Sequence, residues 1–144
     1  MVISGEWWQC EDGTWRPTIG IWVANGNSAR IWERFLVDTG ADCTAFSALL
    51  QQNLQVPTRQ APNISVRGVS GSSSFVVVTT ALELAREGGG VATIRGDFIA
   101  LTNPAATDMS VLGRDVLQHF DVIVSRRRNQ VLLVAGNHQY VISP

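Results

Sequence analysis

The stretch Phe35-Leu36-Val37-Asp38-Thr39-Gly40-Ala41-Asp42 carries a carboxylate out of an apolar run into a tight turn, followed by a hydroxyl and a glycine. Placing an aspartate behind such a run is costly unless its charge is paired or used. The plainest alternative is an Asp that caps nearby backbone amides in a turn. With a second aspartate a few ångströms away, the same carboxylate can hydrolyse an amide without a metal or a Ser or Cys nucleophile. Like charges at that distance resist ionising together, so the pair holds one proton. One member then activates water as a base, the other protonates the leaving nitrogen, and the titration belongs to the pair. In this reading Thr39 anchors the loop through its hydroxyl, and Gly40 lets a substrate backbone approach closely.

The chain holds no second Asp-Thr-Gly or Asp-Ser-Gly. Asp12-Gly13-Thr14 has the wrong order, and Asp97, Asp108, Asp115 and Asp121 lack the context. A faint internal repeat lays Leu36–Asp42 over Met109–Asp115, so that Gly40 meets Gly113, Asp42 meets Asp115 and Val111 falls where Asp38 stood. A second carboxylate must therefore be Asp38 of another copy, which implies a twofold homodimer with the site on its axis.

The elements that must position Asp38 read as short strands between Gly, Asn and Ser punctuation, an all-β pattern. Trp15–Val23 and Ala29–Val37 flank Asn25-Gly26-Asn27, a strong hairpin signal. Trp7 and Trp8 lie before this first clear strand, in an N-terminal extension over residues 1–13. All five tryptophans fall in the first quarter, where sheet packing is their simplest role and a subunit contact the other for Trp7 and Trp8. Ser47 N-caps one or two helical turns over Ala48–Gln52, and Pro57 and Pro62 mark a connection. Asn63–Arg67 and Ser74–Leu84 form a long hairpin across Gly68-Val69-Ser70-Gly71, and Gly88-Gly89-Gly90 turns into the strand Val91–Leu101. Met109–Leu112 is a short strand ending at Gly113. Leu112, Val116 and Phe120 recur at helical spacing, which predicts a short helix over Asp115–His119. Phe120–Val124 and Gln130–Val134 form a last hairpin, and Tyr140-Val141-Ile142 adds a strand in a tail, residues 135–144, available to a dimer sheet.

With 144 residues and no linker or low-complexity segment, the chain reads as a single domain able to bury its own core. A net charge of −1 gives neither nucleic acid nor a membrane surface an electrostatic footprint. Arg126-Arg127-Arg128, between two apolar runs and before Asn129, reads as a solvated hairpin turn. Cys10 and Cys43 make no disulfide framework, and with His119 and His138 they give no metal-ligand spacing, so no cofactor is expected. No signal peptide or membrane-spanning run is present, and a cytoplasmic location is the parsimonious reading.

On these residues the chain resembles the retropepsin-like aspartic proteases, the retroviral-type homodimeric family. Asp38-Thr39-Gly40-Ala41-Asp42 matches the family's catalytic motif, and Val111-Leu112-Gly113-Arg114-Asp115 its second signature. Gly68-Val69-Ser70-Gly71 lies where the flap tip belongs, and Trp15-Arg16-Pro17 resembles the segment before the first hairpin. The likeness runs from Trp15 to Val134. It implies a closed aspartic-protease barrel with one or two short helices and a flap hairpin, acting as a homodimeric endopeptidase on extended peptide or protein substrates. The implied catalytic residues are Asp38, Thr39 and Gly40. Ala41, Asp42, Cys43, Gly68, Val69, Ser70, Gly71, Met109 and Val111 are implied to contact substrate. Asp42, Arg114 and a partner's Arg16 are implied to form a structural network at the dimer. The long first hairpin and the serine-rich flap depart from the retroviral pattern, and the C-terminal hairpin, Phe120–Val134 with its tail, resembles the cellular and bacterial relatives more than the retroviral ones. The rival reading is a non-catalytic dimeric binding or assembly module that keeps the fold.

Overall fold

A computed structural model of the chain describes residues 1–60, 66–68, 71–105, 109–136 and 141, with the backbone alone at 66–68 and 71–73. Its strands are β1 (Val2–Gln9), β2 (Trp15–Ala24), β3 (Arg30–Val37), β4 (Ala45–Phe46), β5 (Thr58–Gln60), β6 (Val66–Gly68) and β7 (Gly71–Ser73). They continue with β8 (Phe75–Ala85), β9 (Val91–Leu101), β10 (Ser110–Leu112), β11 (Asp121–Ser125) and β12 (Gln130–Val134). Two short helices, α1 (Ala48–Leu54) and α2 (Arg114–Leu117), interrupt them.

Ten strands form one sheet in the order β11-β12-β1-β2-β3-β10-β4-β9-β8-β5, and an added β2–β8 pairing closes it. The closed part is a six-strand barrel, β2-β3-β10-β4-β9-β8. It is mixed: β10 runs parallel to β3 and β4 parallel to β9, while the other neighbours are antiparallel. β6 and β7 pair separately as a hairpin with Gly68 opposite Gly71.

Period-two alternation explains the inside of the barrel. Ile19, Ile21 and Val23 of β2 and Phe35 and Val37 of β3 point inward and are buried, as are Val78, Leu82 and Leu84 of β8. Phe46 lies between Phe35 and Phe98, with ring centroids 5.8 and 5.5 Å away. Truncating a fully buried phenylalanine of this kind to alanine costs about 3–5 kcal/mol. The Asn25 side chain shapes the β2–β3 turn by accepting the amides of Asn27 and Ala29 at 3.0 and 3.1 Å. Ser47 caps α1 by accepting the Leu50 amide at 3.1 Å, and the helix ends at Gln55 in the left-handed region, φ 49°.

The largest difference from the sequence expectation is at the N-terminus. Residues 2–9 are not appended to the domain but form β1, which lies between β12 and β2. Ser4 and Gly5 break the apolar alternation there. Gly5 sits so close to β2 that an added Cβ would come 2.1 Å from the Thr18 carbonyl oxygen. β4 and β5 are too short to give a periodic signal, and α2 starts one residue earlier than its spacing predicts. Of the proposed final strand, Tyr140 and Ile142 lie outside the described residues, as do residues 63–65 of the expected flap strand. Among the described residues no helix is long and apolar enough to cross a membrane.

Candidate active site

β3 delivers Asp38. Phe35 and Val37 face the core, so alternation turns Leu36 and Asp38 to the opposite face, where both are half-buried. The Asp38 amide donates to the Leu112 carbonyl at 3.2 Å and continues the parallel β3–β10 pairing. Its carbonyl accepts the Ala41 amide at 3.2 Å, closing the turn. Its Oδ1 accepts the Gly40 amide at 2.9 Å. A side chain at Gly40 would begin 3.1 Å from that oxygen, so glycine keeps the turn tight. Among the described residues no cation pairs with Asp38 and nothing donates to Oδ2. The carboxylate therefore keeps lone pairs free for a water or a shared proton.

The loop after Asp38 is clamped by the segment after β10. The Arg114 amide donates to the Ala41 carbonyl at 2.8 Å and the Asp115 amide to the Asp42 carbonyl at 3.3 Å. Behind them Thr44 is fully buried. Its amide donates to Asp115 Oδ1 and Oδ2 at 2.9 Å and its hydroxyl to Oδ1 at 2.7 Å. The same hydroxyl accepts the Gly113 amide at 3.0 Å. Gly113 can be nothing larger, because a Cβ would lie 2.4 Å from the Cys43 carbonyl carbon. Farther back, Glu33 Oε1 accepts the hydroxyls of Ser110 and Ser47 at 3.0 and 3.3 Å, tying β3, β10 and the start of α1 together.

The residues singled out from the sequence fall into three groups. Asp38, Thr39, Gly40, Ala41, Asp42 and Cys43 form one loop, in which Thr39 and Gly40 are exposed and Ala41 is half-buried. Val111, half-buried, lies across from Leu36 on one side and Ala45 on the other, with half-buried Met109 just before β10. Arg114 forms an exposed ion pair with Asp42 in the same chain. Burial, with the carboxylates of Asp115 and Asp42, raises the Cys43 thiol above its ordinary value. Arg16 is elsewhere: it makes a bidentate pair with Asp12 at 2.8 and 3.0 Å. Gly68 and Gly71 face each other across the β6–β7 hairpin, and Val69 and Ser70 lie outside the described residues.

Sequence reasoning missed Thr44, and it saw Asp115 as the counterpart of Asp42 and the end of the second signature, without its hold on Thr44. A buried threonine two residues beyond Asp42 carries no pattern of its own. The one available signal was Asp115 after Gly113-Arg114, an acid in the first turn of a short helix. A shallow cleft bounded by Ala24, Gly26, Val56, Thr80 and Arg95 shares no residue with this site.

Residues 22–116 match a family model described as aspartyl protease. Among solved structures, the chain is similar to a retropepsin-like aspartic protease from Rickettsia conorii, with a TM-score of 0.58 and 19% identity, covering 92% of this chain and 97% of that one. It is also similar to the EIAV protease complexed with the inhibitor HBY-793, with a TM-score of 0.51 and 24% identity, covering 72% of this chain and 86% of that one. No curated protein matches the sequence. The matched span holds Asp38, the loop behind it and the Gly113 clamp, on a closed mixed barrel of the retropepsin-like kind. The chain therefore belongs to the aspartyl protease family of peptide hydrolases.

Proposed function

We propose that the protein is an endopeptidase acting as a twofold homodimer, in which Asp38 of the two protomers forms the catalytic pair. The observation that carries this reading is the state of Asp38: half-exposed, anchored by one amide, and without a cation among the described residues. In the pair, one carboxylate takes a proton from water as the water oxygen attacks the scissile carbonyl. The other, protonated, hydrogen-bonds the carbonyl oxygen. Collapse of the tetrahedral intermediate breaks the C–N bond, and the proton passes to the leaving nitrogen. An extended peptide lies between this loop and the β6–β7 flap, with its main chain held by Asp42 and the flap backbone and its side chains against Met109, Val111 and Cys43.

An unequal pair of sheet edges supports the dimer. β5, at one end, is three exposed residues, Thr58-Arg59-Gln60, with Arg59 paired to Asp97. β11, at the other end, is five residues with Val122, Ile123 and Val124 at its centre, and Val124 is 43% exposed. An apolar edge with no neighbouring strand among the described residues is a template for another strand, and antiparallel pairing with its own copy satisfies a twofold. In such a dimer Arg16 reaches Asp42 of the partner subunit by exchanging its contact with Asp12.

Asp38→Asn tests the reading. The variant is expected to lose cleavage of a peptide library while keeping its fold and its sedimentation behaviour. Retained cleavage would sink the mechanism, and a monomer at high concentration would favour a non-catalytic module on the same fold.

A further inference from the structure

The outward face of β1, β2 and β3 carries a feature that neither the core nor the catalytic loop uses. Because Ile19, Ile21, Val23 and Phe35 point inward, alternation places Trp8, Gly20, Trp22, Trp32, Arg34 and Leu36 on the outside. The strand register sets Trp22 opposite Trp32, and Arg34 opposite Gly20. Trp8, Trp22 and Trp32 are 44, 38 and 45% exposed, although indoles are normally well covered. Trp32 is seated rather than loose. Its ring lies against Gly20, where an added Cβ would come 2.7 Å from Cζ2, so β2 gives up a side chain to hold this indole against its backbone.

The charges on this face are already matched. The Arg34 guanidinium lies 3.6 Å from the Trp8 ring centroid and 5.0 Å from that of Trp32, and it pairs with Glu6 at 2.7 Å. Arg30 lies 5.3 Å from Trp22 and pairs with Glu83 at 2.7 Å. A polyanion such as nucleic acid or an acidic membrane would find no unmatched cation among these side chains. What the face offers instead is indole surface fixed in place, which suits uncharged ring-bearing groups, above all proline and aromatic side chains.

The face is also continuous with the catalytic loop. Leu36, Arg34 and Trp32 precede Asp38 by two, four and six residues on one strand and share its side. At about 3.3 Å per residue, Trp32 stands roughly 20 Å from Asp38, the length of about six residues of extended polypeptide. An extended substrate whose flank runs back from Asp38 along β3 would lie over this track. We propose that Trp8, Trp32 and Trp22, braced by Arg34, form a secondary docking platform for the flank of a polypeptide substrate, selecting proline- and aromatic-containing segments outside the scissile core. The proposal rests on the endopeptidase reading above.

The test compares two peptides with one cleavable core, one flanked by a Pro/Tyr-rich segment and one by Gly/Ser, on wild type, Trp32→Ala and Trp8→Ala. A stacked contact of this kind is expected to change affinity about tenfold. The variants should therefore lose about tenfold in kcat/KM on the Pro/Tyr-flanked peptide, through KM, with kcat and the Gly/Ser-flanked peptide unchanged. Equal losses on both peptides, or none, would overturn the platform. Binding of the Pro/Tyr-flanked peptide to the Asp38→Asn full-length protein, followed by calorimetry, separates the two readings. Binding that weakens about tenfold with Trp32→Ala upholds the platform even if wild type cleaves nothing. No binding overturns the platform and leaves catalysis to be judged by the library assay.

Discussion

Asp115→Ala is the sharpest structural perturbation available near the Asp38 loop. The Asp115 carboxylate accepts the Thr44 amide, the Thr44 hydroxyl and the Val116 amide at 2.7–2.9 Å. Hydrogen bonds to a charged acceptor contribute about 1.5–3 kcal/mol each. Three of them in one network do not add, and Asp115 is only half-buried, so water recovers part of the loss. Thr44, in contrast, is fully buried, and its amide and hydroxyl lose their acceptor. The expected destabilisation is about 3 kcal/mol, a large share of the roughly 5–15 kcal/mol that a domain of this kind has. Urea unfolding followed by circular dichroism reads it directly, and it corresponds to a fall in Tm of about 6–12 °C. Asp42→Ala is the control. Its ion pair with Arg114 is exposed on both sides, so its loss costs under about 1 kcal/mol. If Asp115→Ala cost no more than Asp42→Ala, the clamp behind the Asp38 loop would not be the support inferred from these contacts.

Two further outcomes follow from the sheet edge and from the loop after β1. Val124→Lys places a charge on the exposed face of β11 and should shift sedimentation toward monomer, with specific activity falling further on dilution than for wild type; an unchanged dimer would move the interface off β11. Arg16, hydrogen-bonded to Asp12, holds that carboxyl well below the usual carboxylate range, so its stabilisation is present above the unfolded-state value and is lost as pH falls through the folded one. In the dissociated protomer, where Arg16 keeps this pair, Asp12→Asn should therefore lower thermal stability slightly at neutral pH and in low salt, with the difference fading in strong acid; a difference that grew on acidification would contradict the pairing.

How much of this was legible in the sequence depends on the length and isolation of each signal. β2, β3, β8 and β9 each carry eight or more residues of alternation between turn residues, and their positions follow from that pattern. β1 was not legible, because exposed Ser4 and then Gly5, which packs against the β2 backbone, follow Ile3 and leave only Ile3 and Trp7 to meet the core. Asp38 stood out because a carboxylate at the end of an apolar strand conflicts with burial, and the fold places it half-buried in the turn after β3. Thr44 was not, because a buried, fully bonded threonine creates no conflict in the sequence at all. The tryptophans were visible as a cluster, but the outward direction of Trp8, Trp22 and Trp32 depends on strand register, which only the folded sheet supplies.

The internal repeat gains its meaning from the way its two copies meet. β3 and β10 lie side by side and parallel, with Val111 opposite Leu36 and the Asp38 amide bonded to Leu112. Asp42 and Asp115, which the repeat aligns, have opposite fates. Asp42 faces solvent beside Arg114, whereas Asp115 turns inward to hold Thr44. The second copy therefore supplies hydrogen bonds to the first, and its own carboxylate is committed to that support. Val111, in the position aligned with Asp38, is flanked by Leu36 and Ala45 within the barrel wall, where an unpaired charge would be expensive. The position aligned with Asp38 therefore holds no carboxylate, and the acid aligned with Asp42 is spent on support. On the two-aspartate mechanism proposed above, that arrangement is the physical reason to look for the second carboxylate in another copy.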